Sequence, residues 1–290
     1  MVSIGTDCSG IEAPIEALLK ICKKNNIECS HVFSSEIDPY AQEYIKANHN
    51  PSILFQDMTK RIPAEVPYVD IYVSGFPCQP FSRANKFKTP VDPRINLFEN
   101  CISVIKHGKP KFFILENVKT LTTLNKGSYF QDILKRLNDL GIYNIHWKVM
   151  NTKDYGIPQS RDRLYIIGVL KKYSKKEYEF PEKKPMKKLS DFIDKTNTSK
   201  NEIKEANKQL LKNIPDNSIF IDLGFRKANF PNSGKWCPCI CAQPLLWCVP
   251  MKRKASVKEY LMLQGFPTNV NIPVSDHRMK ILIGNSMTVD

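Results

Sequence analysis

The sequence predicts an α/β fold built on a mostly parallel sheet, and three observations carry the prediction. Strand and helix patterns alternate through the first half of the chain. The first strand enters a helix through a turn with Gly10 at its bend, where the backbone can approach a ligand closely. Several apolar strands end in reactive or charged residues, the arrangement by which open α/β sheets build sites at the carboxyl ends of their strands.

Each element follows in order. Val2 to Thr6 reads as a short strand, and Glu12 to Lys23 as an amphipathic helix with Ile15, Leu18, Leu19 and Cys22 on one side. His31 to Ser34 is a second strand, and Pro39 suits the first turn of the helix after it. Ile53 to Phe55, Val69 to Val73 and Phe112 to Leu115 continue the strands. Leu97 to Ile105 and Tyr129 to Leu140 supply helices, the latter stopped by Gly141. Ile145 to Met150 and Leu164 to Leu170 look like antiparallel strands around the Gln159 segment. Such alternation implies a sheet covered on both faces.

After Leu170 the character changes. Lys171 to Lys188 is lysine-rich with Tyr173, Tyr178 and Phe180 interleaved, and 195 to 217 is polar and asparagine-rich. The expected division is therefore 1–170 with 275–290 as one domain, and 171–274 as a second region. At 290 residues the chain can bury a sizeable core, and its net charge of +14 points to a polyanionic partner. No apolar run is long enough to span a bilayer, and the first residues lack a secretory signal, so an intracellular protein without membrane contact is expected. Nine scattered cysteines fit a reducing compartment. Among them, Cys237, Cys239, Cys241 and Cys248 cluster, but with one-residue spacings unlike those of structural zinc sites. They are expected to form an apolar stripe, with no metal.

The chemistry centres on Cys78. It lies between Pro77 and Gln79, after the strand Val69 to Val73 and the break at Gly75. Glu116-Asn117-Val118 follows another strand, and Gln159-Ser160-Arg161-Asp162-Arg163 precedes a third. A thiol, a carboxylic acid and two arginines at strand edges suit covalent catalysis on an anionic substrate. Alternation along a strand would put Arg161 and Arg163 on the same side. Glu36, at the end of the second strand, is placed to accept from ribose hydroxyls, and Asp57, after the third, to accept from an exocyclic amine.

The Pro-Cys-Gln, Glu-Asn-Val, Gln-x-Arg-x-Arg and Gly284-Asn285-Ser286 segments, in that order, resemble the DNA (cytosine-5)-methyltransferase family. The resemblance runs from about residue 2 to residue 290 and is weakest between roughly 171 and 247. It implies a Rossmann-like, S-adenosylmethionine-dependent methyltransferase fold with a small target-recognition region. It also implies S-adenosylmethionine at Asp7, Cys8, Gly10, Ile11, Glu36, Ile37, Asp57 and Met58, with Asn285 and Ser286 closing over it. Cys8 replaces the usual aromatic residue and Glu12 and Ala13 the usual glycines, so adenine stacking is expected from Ile37 or Phe81.

By the same resemblance Cys78 is the nucleophile adding to carbon 6 of cytosine. Glu116 is the acid near ring N3, Arg163 organises the site, and Arg161 contacts the base or nucleophile region. Double-stranded DNA is the implied partner, its target base flipped from the stack. Gln79, Ser82, Arg83 and Arg94 are candidate contacts in the loop after Cys78, and Arg226 and Lys227 are candidates in the variable region. A transfer-RNA cytosine-5 methyltransferase and a catalytically silent DNA-binding relative are the alternatives. Leu261 to Pro267 reads as a helix end stopped by Gly265. The family adds a further helix after the last motif and this chain ends at Asp290. A shortened chain, a separate complementing chain and a compact enzyme all fit, and a monomer is expected.

Overall fold

The computed structural model describes residues 1–77, 97–199, 205–212, 214–224, 234–243 and 245–289. The expectations for Cys78, Gln79, Phe81, Ser82, Arg83, Arg94, Arg226 and Lys227 lie outside the described residues. By contacts the chain divides into two compact units, Met1–Met150 with Asp162–Pro181, and Asn151–Arg161 with Glu182–Asp290. Residues 275–289 thus pack with the second unit, although the sequence motifs group them with the first.

In the first unit, β1 (Val2–Asp7), β2 (Cys29–Ser35), β3 (Ile53–Phe55), β4 (Ile71–Ser74), β5 (Phe112–Val118), β6 (Tyr143–Asn151) and β7 (Asp162–Leu170) form one seven-stranded sheet. Its order is β3-β2-β1-β4-β5-β7-β6. The strands from β3 to β5 are parallel, and β7 runs antiparallel to β5. The helices are α1 (Ala13–Asn25), α2 (Pro39–Asn48), α3 (Leu97–Gly108) and α4 (Ser128–Asn138). Helix α2 begins where Asp38 accepts from the Tyr40 N–H at 2.9 Å and Pro39 fills the first turn. Helix α1 ends at Asn26 in the left-handed region, which asparagine tolerates.

Phe33, Tyr72, Phe113 and Leu115 are fully buried in the core of this unit. Gly168 on β7 is needed there, because a Cβ would overlap the Phe113 ring. Several boundaries shift by a few residues from expectation, and two of the shifts bear on the site. Strand β5 continues through Val118, so Glu116 and Asn117 belong to the strand rather than following it. Glu12 is not helical but caps α1 with φ 62°.

The second unit contains α5 (Glu205–Leu211), β8 (Phe220–Asp222), β9 (Leu246–Cys248), β10 (Arg253–Lys254), α6 (Val257–Leu263) and α7 (Asp276–Asn285). The strands form an antiparallel sheet in the order β10-β9-β8, with Ile221, Leu223 and Trp247 in a small core. Such short strands leave little periodicity to read. Helix α6 opens with a full capping box between Ser256 and Glu259, and Gly265 beyond its end has φ 80°, the stop expected from sequence. The cysteine stripe is not formed. Cys237 and Cys248 are buried while Cys241 is exposed, and 237–241 is not a strand. Among the described residues no group of three or more His, Cys, Asp or Glu is placed to hold a metal ion.

Candidate active site

The ends of β1, β2 and β4 come into register at one sheet edge, Asp7 opposite both Ser35 and Ser74. Ser74 in turn faces Leu115, one residue before Glu116.

A cavity of about 270 Å³ opens in the first unit and is lined by Cys8, Glu36, Ile37, Asp57, Met58 and Pro77, with Ser35, Thr59 and Leu97. Five of the expected cofactor residues are therefore brought together. The residue immediately before Cys78 lines the same space. Glu36 Oε2 accepts the Gly10 N–H at 2.7 Å, and Oε1 accepts that of Asp38 at 2.9 Å. Burial pushes the Glu36 carboxyl up, opposed by these backbone donors. Asp57 accepts from the Thr59 hydroxyl at 2.7 Å and from its N–H at 2.9 Å, which holds its carboxyl below the usual range. Cys8 places its Sγ 3.7 Å from Met58 Sδ, and burial raises its thiol well above the ordinary value. The Cys8 side chain therefore gives the cavity a soft apolar wall rather than a reactive one.

Asp7 and Ile11 are placed differently. The Asp7 carboxylate pairs with Arg61 and accepts from the Tyr72 hydroxyl at 2.6 Å, both beneath the sheet edge. Ile11 is completely buried. Arg61 also donates to the Ser35 hydroxyl, and its guanidinium lies 4.9 Å from the Phe55 ring centroid and 5.5 Å from that of Phe33. Nothing in the spacing of Asp7 and Arg61 announces this pair, which forms only when the turn after β3 folds back over the end of β1.

At the end of β5, Glu116 Oε1 lies 3.0 Å from Arg163 Nε. Val118 faces Arg163 across the antiparallel ladder, so Glu116 is its diagonal neighbour on the same face. Asn117 donates to the Phe76 carbonyl at 3.2 Å, tying β5 to the segment just before Cys78.

Arg161 does not share that face. It precedes β7, and its Nη1 donates to the Ile240 carbonyl at 2.6 Å. Its Nη2 donates to Ser286 at 2.6 Å and to Gly284 at 3.2 Å, all within the second unit. Arg161 is thus a clamp for the backbone around Asn285, and strand alternation fails because only Arg163 is on the strand. Asn285 ends α7 and is exposed, whereas Ser286 is buried.

Gln159 and Gln264 lie within segments read from sequence, but no role for either side chain is apparent there. Gln159 donates to Gln264 Oε1 at 2.9 Å and to the Leu263 carbonyl at 2.7 Å, and accepts from the Ile240 N–H at 3.0 Å. Gln264 donates to the Ile283 carbonyl at 2.9 Å. Buried amides with both ends satisfied hold the last two motifs of this unit together.

Comparison with known proteins gives the family. The family model for C-5 cytosine-specific DNA methylase matches residues 15–290. The chain belongs to the C-5 cytosine-specific DNA methylase family. Among relatives, it is 37% identical over 276 residues to the type II methyltransferase M.HaeII of Haemophilus aegyptius, covering 90% of this chain and 83% of that one. It is 34% identical to M.NgoBI of Neisseria gonorrhoeae, again over 90% and 83%. As a member of the family it is a DNA (cytosine-5-)-methyltransferase. Its fold is shared by a prophage-encoded putative DNA modification methyltransferase from E. coli, with TM-score 0.70, 18% identity and coverage of 99% and 95%. It is shared too by a Spodoptera frugiperda DNMT2 mutant, with TM-score 0.69, 19% identity and coverage of 100% and 96%. The α/β, Rossmann-like expectation is met. No helix among the described residues is long and apolar enough to cross a membrane.

Proposed function

We propose that this methylase uses S-adenosylmethionine and works through a covalent adduct between Cys78 and a cytosine flipped out of double-stranded DNA. The observation that carries the reading is the Glu116–Arg163 pair at 3.0 Å, on the sheet edge that also bears the cavity lined by Glu36 and Pro77. The cavity suits the cofactor. Glu36 and Asp57 supply acceptors for ribose and adenine, Ile37, Met58 and Leu97 supply apolar walls, and a Cβ at Gly10 would meet nothing within 4 Å. When bound, S-adenosylmethionine supplies an electrophilic methyl group.

The chain's own residues do the rest. Cys78 gives its thiolate electron pair to carbon 6 of the ring, and the ring's π pair moves toward carbon 5, which becomes the nucleophile. Glu116 hydrogen-bonds ring N3 and offsets the charge gathering there, while Arg163 fixes its orientation. Loss of the carbon-5 proton to a base then lets the carbon–sulfur bond break and returns the thiolate. Extrusion of the base is required because its carbons 5 and 6 are stacked within a duplex. Gln79, Ser82, Arg83 and Arg94 are proposed to contact DNA beside Cys78. Arg226 and Lys227, in the region between 171 and 274, are proposed to take part in target choice; arginine pairing with guanine is the common base contact. Assay of the Cys78→Ser variant tests the reading: methyl transfer is expected to disappear while duplex binding persists. Substantial turnover by the serine enzyme would remove Cys78 from the reaction.

A further inference from the structure

Glu12 has no part in the mechanism above, yet it is the most deeply placed carboxyl of the turn that carries Gly10. Its side chain is 0% exposed, and its backbone adopts φ 62°, a region that side-chain-bearing residues rarely enter. Ser34 Oγ lies 2.6 Å from Oε1, and Thr6 Oγ1 lies 2.8 Å from Oε1 and 3.1 Å from Oε2. Ser9 Oγ is 2.7 Å from Thr6 Oγ1 and accepts the Ser35 N–H at 3.0 Å. Ser34 Oγ is also 2.9 Å from His31 Nε2. One connected network therefore joins the end of β1, the turn and the end of β2.

We propose that Glu12 is a positioning residue of this turn that acts as the neutral acid, latching β1 to β2 beneath Gly10. The inference rests on the proposed cofactor role of the Glu36 cavity.

A neutral acid fits this network: a protonated Oε1 donates to Ser34 Oγ, which frees the Ser34 hydroxyl for His31 Nε2, while Thr6 donates to the side-chain Oε2. Ser9 Oγ reaches the Thr6 and Ser35 carbonyls at 3.2 and 3.1 Å as well as Thr6 Oγ1. An ionised Glu12 would instead bury a full charge. Among the described residues only His31 comes within ion-pair distance, at 3.6 Å, and burial pushes that ring down to about 4, leaving it uncharged. The other charged neighbours do not compensate. Glu36, from the turn after β2, repels it; Glu16, on α1, faces His49 of the α2 end at 3.7 Å; and Asp7, on β1, is held by Arg61. Burial accordingly raises the Glu12 carboxyl to about 8. The latch matters because the Gly10 N–H above it donates to Glu36 Oε2. Ionised Glu12 repels Glu36 and weakens the same turn, so cofactor affinity falls as pH rises through about 8.

Calorimetric titration with S-adenosylhomocysteine, for wild type, Glu12→Gln and Glu12→Gly, tests this. Wild-type affinity is expected to fall about tenfold from pH 7 to pH 9. Glu12→Gln, which donates and accepts as the neutral acid does, is expected to bind equally well at both values. Glu12→Gly should bind weakly at both. A parallel fall in wild type and Glu12→Gln, or no fall in wild type, overturns the proposal. Infrared difference spectra between wild type and Glu12→Gln supply a readout without ligand: a protonated-carboxyl band should be present at pH 7 and lost at pH 9. Absence of that band at pH 7 overturns the neutral acid. Failure of the folded wild type to bind at any pH would overturn the cofactor reading and with it the positioning role, while the band would still decide the protonation.

Discussion

Glu116 and Arg163 meet at 3.0 Å because β5 and β7 pair antiparallel with Val118 opposite Arg163. Both side chains are nearly shielded from water, at 11% and 16% exposure, so the pair is stronger than a surface ion pair and its loss is costly. Arg163→Ala is expected to lower kcat/KM on a short target duplex by about 10- to 100-fold, the equivalent of one charge-assisted hydrogen bond at about 1.5–3 kcal/mol. Arg163→Lys, which keeps the charge but not the planar fork, should fall between. Activity unchanged in Arg163→Ala would show that Glu116 orients itself.

Arg253 and Glu259 form a second buried pair, with Nη1–Oε2 at 2.8 Å and Nη2–Oε1 at 2.9 Å and both side chains 0% exposed. The remaining Arg253 donors reach the carbonyls of Asp194, Asn197 and Lys254. Arg253→Met removes the guanidinium from a fully buried carboxyl, leaving Glu259 only the Asp194 and Ser256 N–H donors, and is expected to cost about 3–5 kcal/mol of stability. Urea denaturation followed through the buried Trp247 of this unit measures it.

His31 and His49 are both pushed down to about 4, chiefly by burial. They fold neutral, whereas in the unfolded chain they charge near the ordinary value of about 6.5. The unfolded state therefore binds more protons between those values, and stability is lost as pH falls from about 6.5 through about 4. Thermal denaturation across that window should show the loss, and His49→Gln should reduce it.

The lysines that open the segment after β7 are not at the catalytic edge. Arg163 and Lys171 lie at opposite ends of one strand, about 26 Å apart at the rise of an extended chain. Lys171 donates to the Gly141 carbonyl at 2.6 Å, and Lys172 lies 4.9 Å from the Tyr173 ring centroid. Joint change of Lys172, Lys175 and Lys176 to glutamate should leave the affinity of a short target duplex and its salt slope unchanged. If these lysines did grip the substrate's phosphates, the slope of log affinity on log salt would drop by about 2.7.

The sequence made the first unit legible because its strands are apolar runs with caps and turns at their ends. Pro39 and Gly265 fix their helix boundaries by backbone chemistry alone, and both are where expected. The cavity residues Glu36 and Asp57 are legible because they stand just after strands, whereas Met58 follows only from the family resemblance. Arg161 was misplaced because the two-residue period applies only within a strand, and β7 starts at Asp162. Asp7–Arg61, Arg253–Glu259 and the Glu12 network were not legible at all. Each joins residues that only tertiary folding brings together, with no local pattern to mark them.

The central claim is that Cys78 bonds to carbon 6 of the target cytosine. The most direct test is incubation of the enzyme and S-adenosylmethionine with a target duplex carrying 5-fluorocytosine. Fluorine at carbon 5 leaves no proton to remove, so the carbon–sulfur bond cannot break once the methyl group has transferred. A denaturation-resistant protein–DNA species is predicted, with the combined mass of enzyme, strand and one methyl group and with Cys78 as the modified residue. Active enzyme that methylates the ordinary duplex yet forms no such species, or forms it equally well in the Cys78→Ser variant, would contradict the claim.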